Sequence, residues 1–200
     1  KKKEYKQVFE DNMYTINKPE IKDVDQSTKP FTSISYIPDY PRFGMTGLTN
    51  DMYNLLMKRC FDLAACTEAN IYVNDELIKC KDFKDYVSMY YEKKPHLIYE
   101  RINTRWEIGV VFDVENGDKH VSFVNGISTF QGGTHVAYVI ENVLKGVIDH
   151  IKSQAKYKNL KIQPATVKQY LTFFINAVIE DPCFNSQTKE FMNSKVKDWC

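Results

Sequence analysis

The stretch from residue 96 to residue 154 constrains the fold more than any other part of the chain. It contains three strand-like runs, then the glycine pair Gly132-Gly133, then apolar residues repeating at helical spacing. The strand runs cover His96–Asn103, Arg105–Val114 and His120–Ile127. The helix is predicted from Thr134, as its N-cap, to about Gln154. Strands followed by a long helix predict an α+β fold with mixed sheets and packed helices.

Shorter patterns predict the remaining elements. They are strands over Glu4–Glu10 and Phe31–Ile37, a connection over Asn17–Pro30, helices over Asn50–Cys66, Asp82–Tyr91 and Pro164–Glu180, a hairpin around Asn74-Asp75, and a mostly irregular tail from Cys183. On the first helix the expected apolar face is Met52, Leu55, Leu56, Cys60, Leu63 and Ala64. A shift to charge and proline over Glu92–Pro95 predicts a domain boundary near residue 95.

Composition excludes several classes of protein. The 200 residues carry 27 Lys plus Arg and 26 Asp plus Glu, a formal net charge of +1, so binding through bulk positive charge is excluded. With 43% hydrophobic and 26% charged residues the chain is of globular type. No apolar run reaches the roughly 20 residues that a membrane span needs. The lysine-rich start also lacks a charged-then-apolar signal segment, and we expect no membrane association.

The metal-ligating residue types are scattered along the chain. Five cysteines and four histidines form none of the close pairs that a structural zinc site requires, so we expect free thiols and no metal site. The acidic pair Asp113 and Glu115 has no second group of ligands beside it in the sequence.

Residues 150–179 are the most distinctive electrostatic feature, because they include five lysines and no acid: Lys152, Lys156, Lys158, Lys161 and Lys168. The first four lie between two predicted helices and are expected to share a loop. Ammonium groups on such a loop suit contacts to nucleic-acid phosphates without base reading. An ordinary solvated loop is the alternative, and a single aromatic, Tyr157, disfavours a stacking platform.

Two other segments carry candidate ligand groups. Gln187, Thr188 and Lys189 follow a predicted helix end and offer neutral and charged donors to a terminal phosphate; an ordinary polar turn is the alternative. Thr129–His135 places two glycines before a helix, where backbone N–H groups can approach an anion. A tight strand-to-helix turn, with His135 packing or hydrogen bonding, is the alternative there.

Several segments together resemble the type IIA DNA topoisomerases, in their eukaryotic topoisomerase II branch. The most specific are the GGTH and QTK motifs, which occur in order. The matching segments are Lys3–Lys6, Asp11–Met13, Lys58–Ala64, Arg105–Glu107, Val121–Val136, Phe174–Pro182 and Phe184–Glu190, and the resemblance covers nearly the whole chain.

The resemblance implies two domains. Residues 1–95 are similar to the C-terminal portion of a GHKL ATPase domain. Residues 96–200 are similar to a transducer domain, which has a ribosomal-protein-like fold with a left-handed βαβ unit. In this family the two form an ATP-operated gate, in which ATP binding and hydrolysis are coupled to capture and passage of a DNA duplex.

The resemblance also implies roles for particular residues. Gln187, Thr188 and Lys189 would bind the γ-phosphate of ATP, with Gln187 and Lys189 taking part in catalysis. The lysines that would face captured double-stranded DNA are Lys152, Lys156, Lys158 and Lys161. The implied setting is a nuclear, homodimeric isomerase that uses ATP and Mg²⁺.

Other motifs that the gate needs do not occur in this sequence. There is no E-x-x-x-N helix, no D-x-G-x-G and no glycine-rich lid. We therefore expect a fragment that depends on the remainder of the ATPase domain, associates weakly or not at all by itself, and neither binds ATP tightly nor hydrolyses it. The alternatives are a non-enzymatic α+β nucleic-acid-binding module that uses the lysine-rich loop, and another GHKL protein such as a chaperone or mismatch-repair ATPase.

Overall fold

The computed structural model describes all 200 residues, which form two compact units, Lys1–Tyr53 and Asn54–Cys200. This division reflects compactness, and the domain boundary expected near residue 95 stays a prediction. No helix in the molecule is both long and apolar enough to span a bilayer.

The first unit consists of small two-stranded sheets. Its strands are β1 (Lys2–Lys6), β2 (Phe9–Glu10), β3 (Thr15–Ile16) and β4 (Glu20–Val24). β1 pairs antiparallel with β4, and β2 pairs antiparallel with β3. The prediction of a bare connection over Asn17–Pro30 is therefore wrong, because β4 lies within it. The side chains of β4 are almost all exposed, and its sequence lacks the alternation of apolar and polar residues that marks a half-buried strand.

The predicted strand over Phe31–Ile37 is also wrong in this structure. The segment has no regular secondary structure, and Ile34 and Ile37 are 83% and 92% exposed. Alternation marks a surface suited to a sheet, but a strand also needs a partner for its backbone hydrogen bonds. None pairs with this segment here.

The second unit is built around a mixed five-stranded sheet with helices on both faces. Its elements are α1 (Asn50–Cys66, which starts in the first unit), β5 (Tyr72–Val73), β6 (Glu76–Leu77), α2 (Phe83–Ser88), β7 (His96–Asn103), β8 (Trp106–Phe112), β9 (Lys119–Val124), β10 (Ile127–Ser128), β11 (Gly132–Gly133), α3 (Thr134–Ser153), α4 (Pro164–Lys168), β12 (Leu171–Ala177) and β13 (Phe191–Met192). The sheet order is β10-β9-β12-β8-β7. β9 and β12 are parallel and the other pairs are antiparallel. This confirms the α+β class with mixed sheets.

The β9-α3-β12 segment forms a βαβ unit, because α3 lies between two parallel neighbouring strands. The left hand expected for its crossover stays a prediction. β12 runs along the middle of the sheet. Phe174 packs toward α1 and α2, whereas Phe173 and Ile175 pack toward Val136 and Val139 of α3.

The prediction of a helix over Pro164–Glu180 is wrong, since only α4 is helical and the rest is β12. A strand buried on both faces has apolar residues at nearly every position, and periodicity alone does not separate it from a buried helix. The aromatic and β-branched residues of Leu171–Ala177 favour the strand.

The predicted apolar face of α1 is mostly wrong as well. Leu55 and Leu56 are exposed, whereas Asp62 is buried with Ala64 and Ala65. The Asp62 carboxylate accepts hydrogen bonds from Lys58 Nζ (2.9 Å) and from the Tyr86 hydroxyl (2.6 Å) of α2. Burial, followed by this bond to Asp62, raises the pKa of Tyr86. A buried, fully partnered carboxylate thus joins α1 to α2.

The capping residues also differ from those predicted. The sequence predicts Asn50 or Asp51 as the N-cap of α1, but the Thr49 hydroxyl accepts a hydrogen bond from Met52 N (3.3 Å), so Thr49 is the cap. Thr134 does not cap α3 through its side chain. Its hydroxyl instead donates to the carbonyl oxygen of Ser194, at 2.7 Å.

Candidate functional site

The loop that contains Gln187, Thr188 and Lys189 is closed at its base and turned at its tip. We call residues 184–192 the QTK loop. An antiparallel bridge joins Phe184 to Met192, and Asn185 N donates to the Phe191 carbonyl oxygen at 3.2 Å. At the tip, Lys189 N donates to the carbonyl oxygen of Ser186 at 3.1 Å. The tail from Cys183 is mostly irregular, as predicted, and this loop is a hydrogen-bonded turn within it.

The three candidate phosphate-binding side chains lie together at this tip. Gln187 and Thr188 are exposed and Lys189 is half-buried. No carboxylate lies within 4.0 Å of the Lys189 ammonium, which sits 5.9 Å from the centre of the Phe184 ring. An amide, a hydroxyl and an unpaired ammonium at one tip fit the oxygens of a terminal phosphate.

Two residues beside the tip were not identified from the sequence. Gln131 Nε2 donates to Glu190 Oε2 at 2.7 Å, and Gln131 N donates to the Glu190 carbonyl oxygen at 3.1 Å. The two residues are 59 positions apart, and no local pattern relates them. The only indications of this contact in the sequence are the positions of the two residues, Gln131 directly before Gly132-Gly133 and Glu190 directly after Lys189.

The glycine pair supports the QTK loop and does not form an anion site. Gly132 and Gly133, as β11, pair parallel with Phe191 and Met192 of β13. Gly133 has a φ of 144°, and a Cβ there would overlap the backbone of Met192. The backbone before α3 is therefore occupied by β13, the last two residues of the QTK loop, as the tight-turn alternative expects.

His135 belongs to a buried polar group behind this turn. Its side chain is fully buried, and Nε2 lies 3.1 Å from the Thr129 hydroxyl, which also bonds to Ser122. Burial, with a smaller contribution from His120, lowers the pKa of His135 to about 4. The ring is neutral at physiological pH and packs inside the protein, which agrees with the alternative that the sequence offered for His135.

The four candidate DNA-binding lysines are exposed but do not share one loop. Lys152 lies in the last turn of α3, Lys156 in a short 3-10 helix, and Lys158 and Lys161 in the loop before α4. None has a carboxylate within 4.0 Å, whereas Lys168 pairs with Asp118 at 2.6 Å. The structure thus leaves four neighbouring cations free for an anionic partner. We call residues 152–161 the lysine segment.

Residues with metal-ligand chemistry do not come together. No group of three His, Cys, Asp or Glu side chains is arranged to hold a metal ion, and all five cysteines are free. Asp113 Oδ1 instead accepts hydrogen bonds from the backbone N–H groups of Glu115 and Asn116, which makes it a turn residue. Burial raises the pKa of the Cys66 thiol, so it is not an activated nucleophile.

An open groove of about 530 Å³ lies elsewhere on the second unit and includes none of the predicted site residues. Among its lining residues, a guanidinium nitrogen of Arg105 lies 3.7 Å from a carboxylate oxygen of Glu180. Asn125, also in its lining, is tied to the backbone of Ile179 through both side-chain atoms.

Comparison with known proteins gives one consistent result. The family model described as DNA gyrase B matches residues 73–200, more than half of the chain. DNA topoisomerase 2 of Acanthamoeba polyphaga mimivirus is 39% identical over 204 residues, which cover 100% of this chain and 16% of that protein. The chain spans only 13–16% of the length of such relatives.

Solved structures agree with these relatives. The crystal structure of the ATPase region of Saccharomyces cerevisiae topoisomerase II matches with a TM-score of 0.81 at 33% identity, over 98% of this chain and 50% of that one. The ATPase and transducer domains of topoisomerase II from Balamuthia mandrillaris match with a TM-score of 0.86 at 31% identity, again over 98% and 50%. The chain therefore belongs to the DNA gyrase B family, among the type IIA DNA topoisomerases.

Proposed function

We propose that this chain is part of the ATP-operated gate of a DNA topoisomerase II, an isomerase that passes one DNA duplex through another. In this role the second unit transmits the state of a bound nucleotide to the part of the gate that faces DNA. The proposal rests on the family match together with one observation, the exposed tip of the QTK loop with its unpaired ammonium group.

The chemistry at the tip is recognition of a terminal phosphate. Lys189 places a cationic donor where negative charge grows on the γ-phosphate oxygens during cleavage. Gln187 orients the same group through its amide, and Thr188 adds a hydroxyl donor. ATP has this phosphate and ADP does not, so the QTK loop binds the nucleotide before hydrolysis and releases it afterwards. The arrangement of the two domains therefore differs between the ATP and ADP states.

Other partners follow from the same proposal. ATP would be bound mainly by the remainder of the ATPase domain. The reaction's Mg²⁺ would be held there too, since the residues of this chain do not fit a metal site. The lysine segment would contact the phosphates of captured double-stranded DNA, and the working enzyme would be a nuclear homodimer.

Replacing Lys189 tests the proposal in the full-length enzyme. In Lys189→Ala we expect kcat for ATP hydrolysis to fall about a hundredfold, because the γ-phosphate no longer has this donor for its developing charge. Strand passage should fall in parallel, while DNA cleavage in the absence of nucleotide persists. Lys197→Ala removes an exposed lysine that, like Lys189, has no ion pair, and is the control. Unchanged turnover in Lys189→Ala would remove Lys189 from the mechanism.

A further inference from the structure

The QTK loop contains an acid directly beside the ammonium group that the proposed function needs. Glu190 follows Lys189 in the sequence, and both side chains are half-buried. A free carboxylate at this position would compete with a phosphate for the Lys189 ammonium and would repel the phosphate itself. An anion-binding tip is thus expected to work only if this carboxylate is held elsewhere.

In the structure the Glu190 carboxylate is bound to Gln131. The Gln131 amide donates to it at 2.7 Å, whereas no Lys189–Glu190 ion pair lies within 4.0 Å. The Lys189 ammonium instead lies over the Phe184 ring. A neutral amide satisfies the carboxylate without adding a charge to the tip.

The backbone makes this bond geometrically defined. Gln131 N also donates to the Glu190 carbonyl oxygen at 3.1 Å, and the next two residue pairs along form the parallel β11–β13 pairing. Gly133 permits the two backbones to approach this closely. Lys189 has a φ of 60°, a backbone conformation that costs free energy in a non-glycine residue. Two backbone hydrogen bonds flank it, one from Lys189 N to the Ser186 carbonyl oxygen and one from Gln131 N to the Glu190 carbonyl oxygen.

We propose that Gln131 is a positioning residue that holds the Glu190 carboxylate away from Lys189 and so keeps the ammonium group free for a terminal phosphate. This inference rests on the proposed function of the QTK loop. It assigns the residue before the two glycines to nucleotide recognition, although Gln131 itself touches no phosphate.

The test measures how strongly the full-length enzyme prefers a triphosphate. The quantity is the ratio of the Kd of ADP to the Kd of a non-hydrolysable ATP analogue, both with Mg²⁺, because the QTK loop contributes only to the second. Lys189→Ala should abolish most of the preference. Gln131→Ala should lower it about three- to tenfold, with the Kd of ADP unchanged. Gln26→Ala removes an exposed glutamine without hydrogen bonds and should have no effect.

Rescue separates the electrostatic role from a merely structural one. In the double variant Gln131→Ala/Glu190→Gln no carboxylate competes for Lys189, and we expect the preference to return close to that of the wild type. Failure of this rescue, or an unchanged ratio in Gln131→Ala while Lys189→Ala collapses it, would overturn the positioning role. An unchanged ratio in Lys189→Ala would overturn the proposed function itself, and this inference with it.

Discussion

At the scale of single residues, the buried His135 couples stability to pH. Its pKa is about 4 in the folded chain, below its ordinary value of 6.5, because the charged ring would lose its hydration. The unfolded chain therefore binds a proton that the folded chain does not between these two values. The contribution of His135 to the free energy of unfolding is fully present above pH 6.5 and is lost as the pH falls toward 4.

We expect the free energy of unfolding to fall by up to about 3 kcal/mol over this range because of His135 alone. Urea unfolding of the chain from about pH 7 to about pH 4.5, followed by the fluorescence of Trp106 and Trp199, measures it. His135→Gln should flatten the slope even if its overall stability is lower. His150→Gln, at an exposed histidine, should keep the slope. An equal slope in wild type and His135→Gln would contradict the assignment.

The contrast between Asp62 and Leu55 marks a limit of what the sequence shows about single residues. Leu55 belongs to the apolar face expected from the sequence and Asp62 does not, yet Asp62 is 1% exposed and Leu55 is 60% exposed. A carboxylate can be buried when cationic and hydroxyl donors surround it, but Tyr86 lies 24 residues away in the chain. Helical spacing shows which residues of α1 share a face, but it does not show which residues of other elements will pack against that face.

At the scale of elements, local patterns predicted α3, the hairpin of β5 and β6, α2 and the strands β7 and β8. Each combines a clear period with a cap or turn, such as Asn74-Asp75, whose φ angles of 49° and 65° suit a tight hairpin. β12 and β4 were missed for opposite reasons. β12 is buried on both faces and is mostly apolar, so its pattern resembles that of a buried helix, whereas β4 is almost entirely exposed and mostly polar, so its pattern resembles that of a loop.

In the candidate site, too, local features could be predicted from the sequence and a contact between distant segments could not. The donors of the QTK loop are adjacent in sequence, so a short motif contains all of them. The Gln131–Glu190 contact depends on the β11–β13 pairing, which no local pattern predicts. The helix assigned to Pro164–Glu180 did not obscure the lysine segment, because that segment was detected by charge.

The lysine segment is expected to bind DNA as a group. Replacing Lys152, Lys156, Lys158 and Lys161 with alanine in the full-length enzyme should lower the DNA stimulation of ATP hydrolysis and leave the basal rate unchanged. The slope of log affinity against log salt should become shallower by about 0.9 for each phosphate that a lysine no longer neutralises. The measurements are DNA titrations at several salt concentrations.

Four exposed lysines outside the segment give the control for this variant: Lys79, Lys81, Lys93 and Lys94. Their removal changes the net charge equally, so it should reproduce the effect only if bulk charge is responsible. An equal drop in DNA stimulation in both variants would contradict a role of the lysine segment.

At the scale of the whole molecule, the chain contains the loop that we propose recognises a terminal phosphate, and we expect the rest of the nucleotide site to come from the remainder of the ATPase domain. The chain covers half of the ATPase-region chains that it resembles, and the matched relatives are several times longer. The apolar side chains of Phe31, Ile34, Tyr36 and Ile37 are 70–92% exposed. Exposed apolar residues concentrated in one segment are typical of a surface that another part of a protein covers.

The isolated chain and the completed ATPase region should therefore behave differently toward ATP. The chain alone should show no ATPase rate that depends on Lys189. The reason is that ATP is bound mainly by the remainder of the ATPase domain, so no γ-phosphate is held near Lys189 in its absence. Adding the remaining part of the ATPase region should restore ATP hydrolysis and dimerisation that requires a non-hydrolysable ATP analogue, measured by light scattering. A non-enzymatic nucleic-acid-binding module would show neither response. Lys189-dependent hydrolysis by the isolated chain would instead mean that a complete nucleotide site lies within these 200 residues.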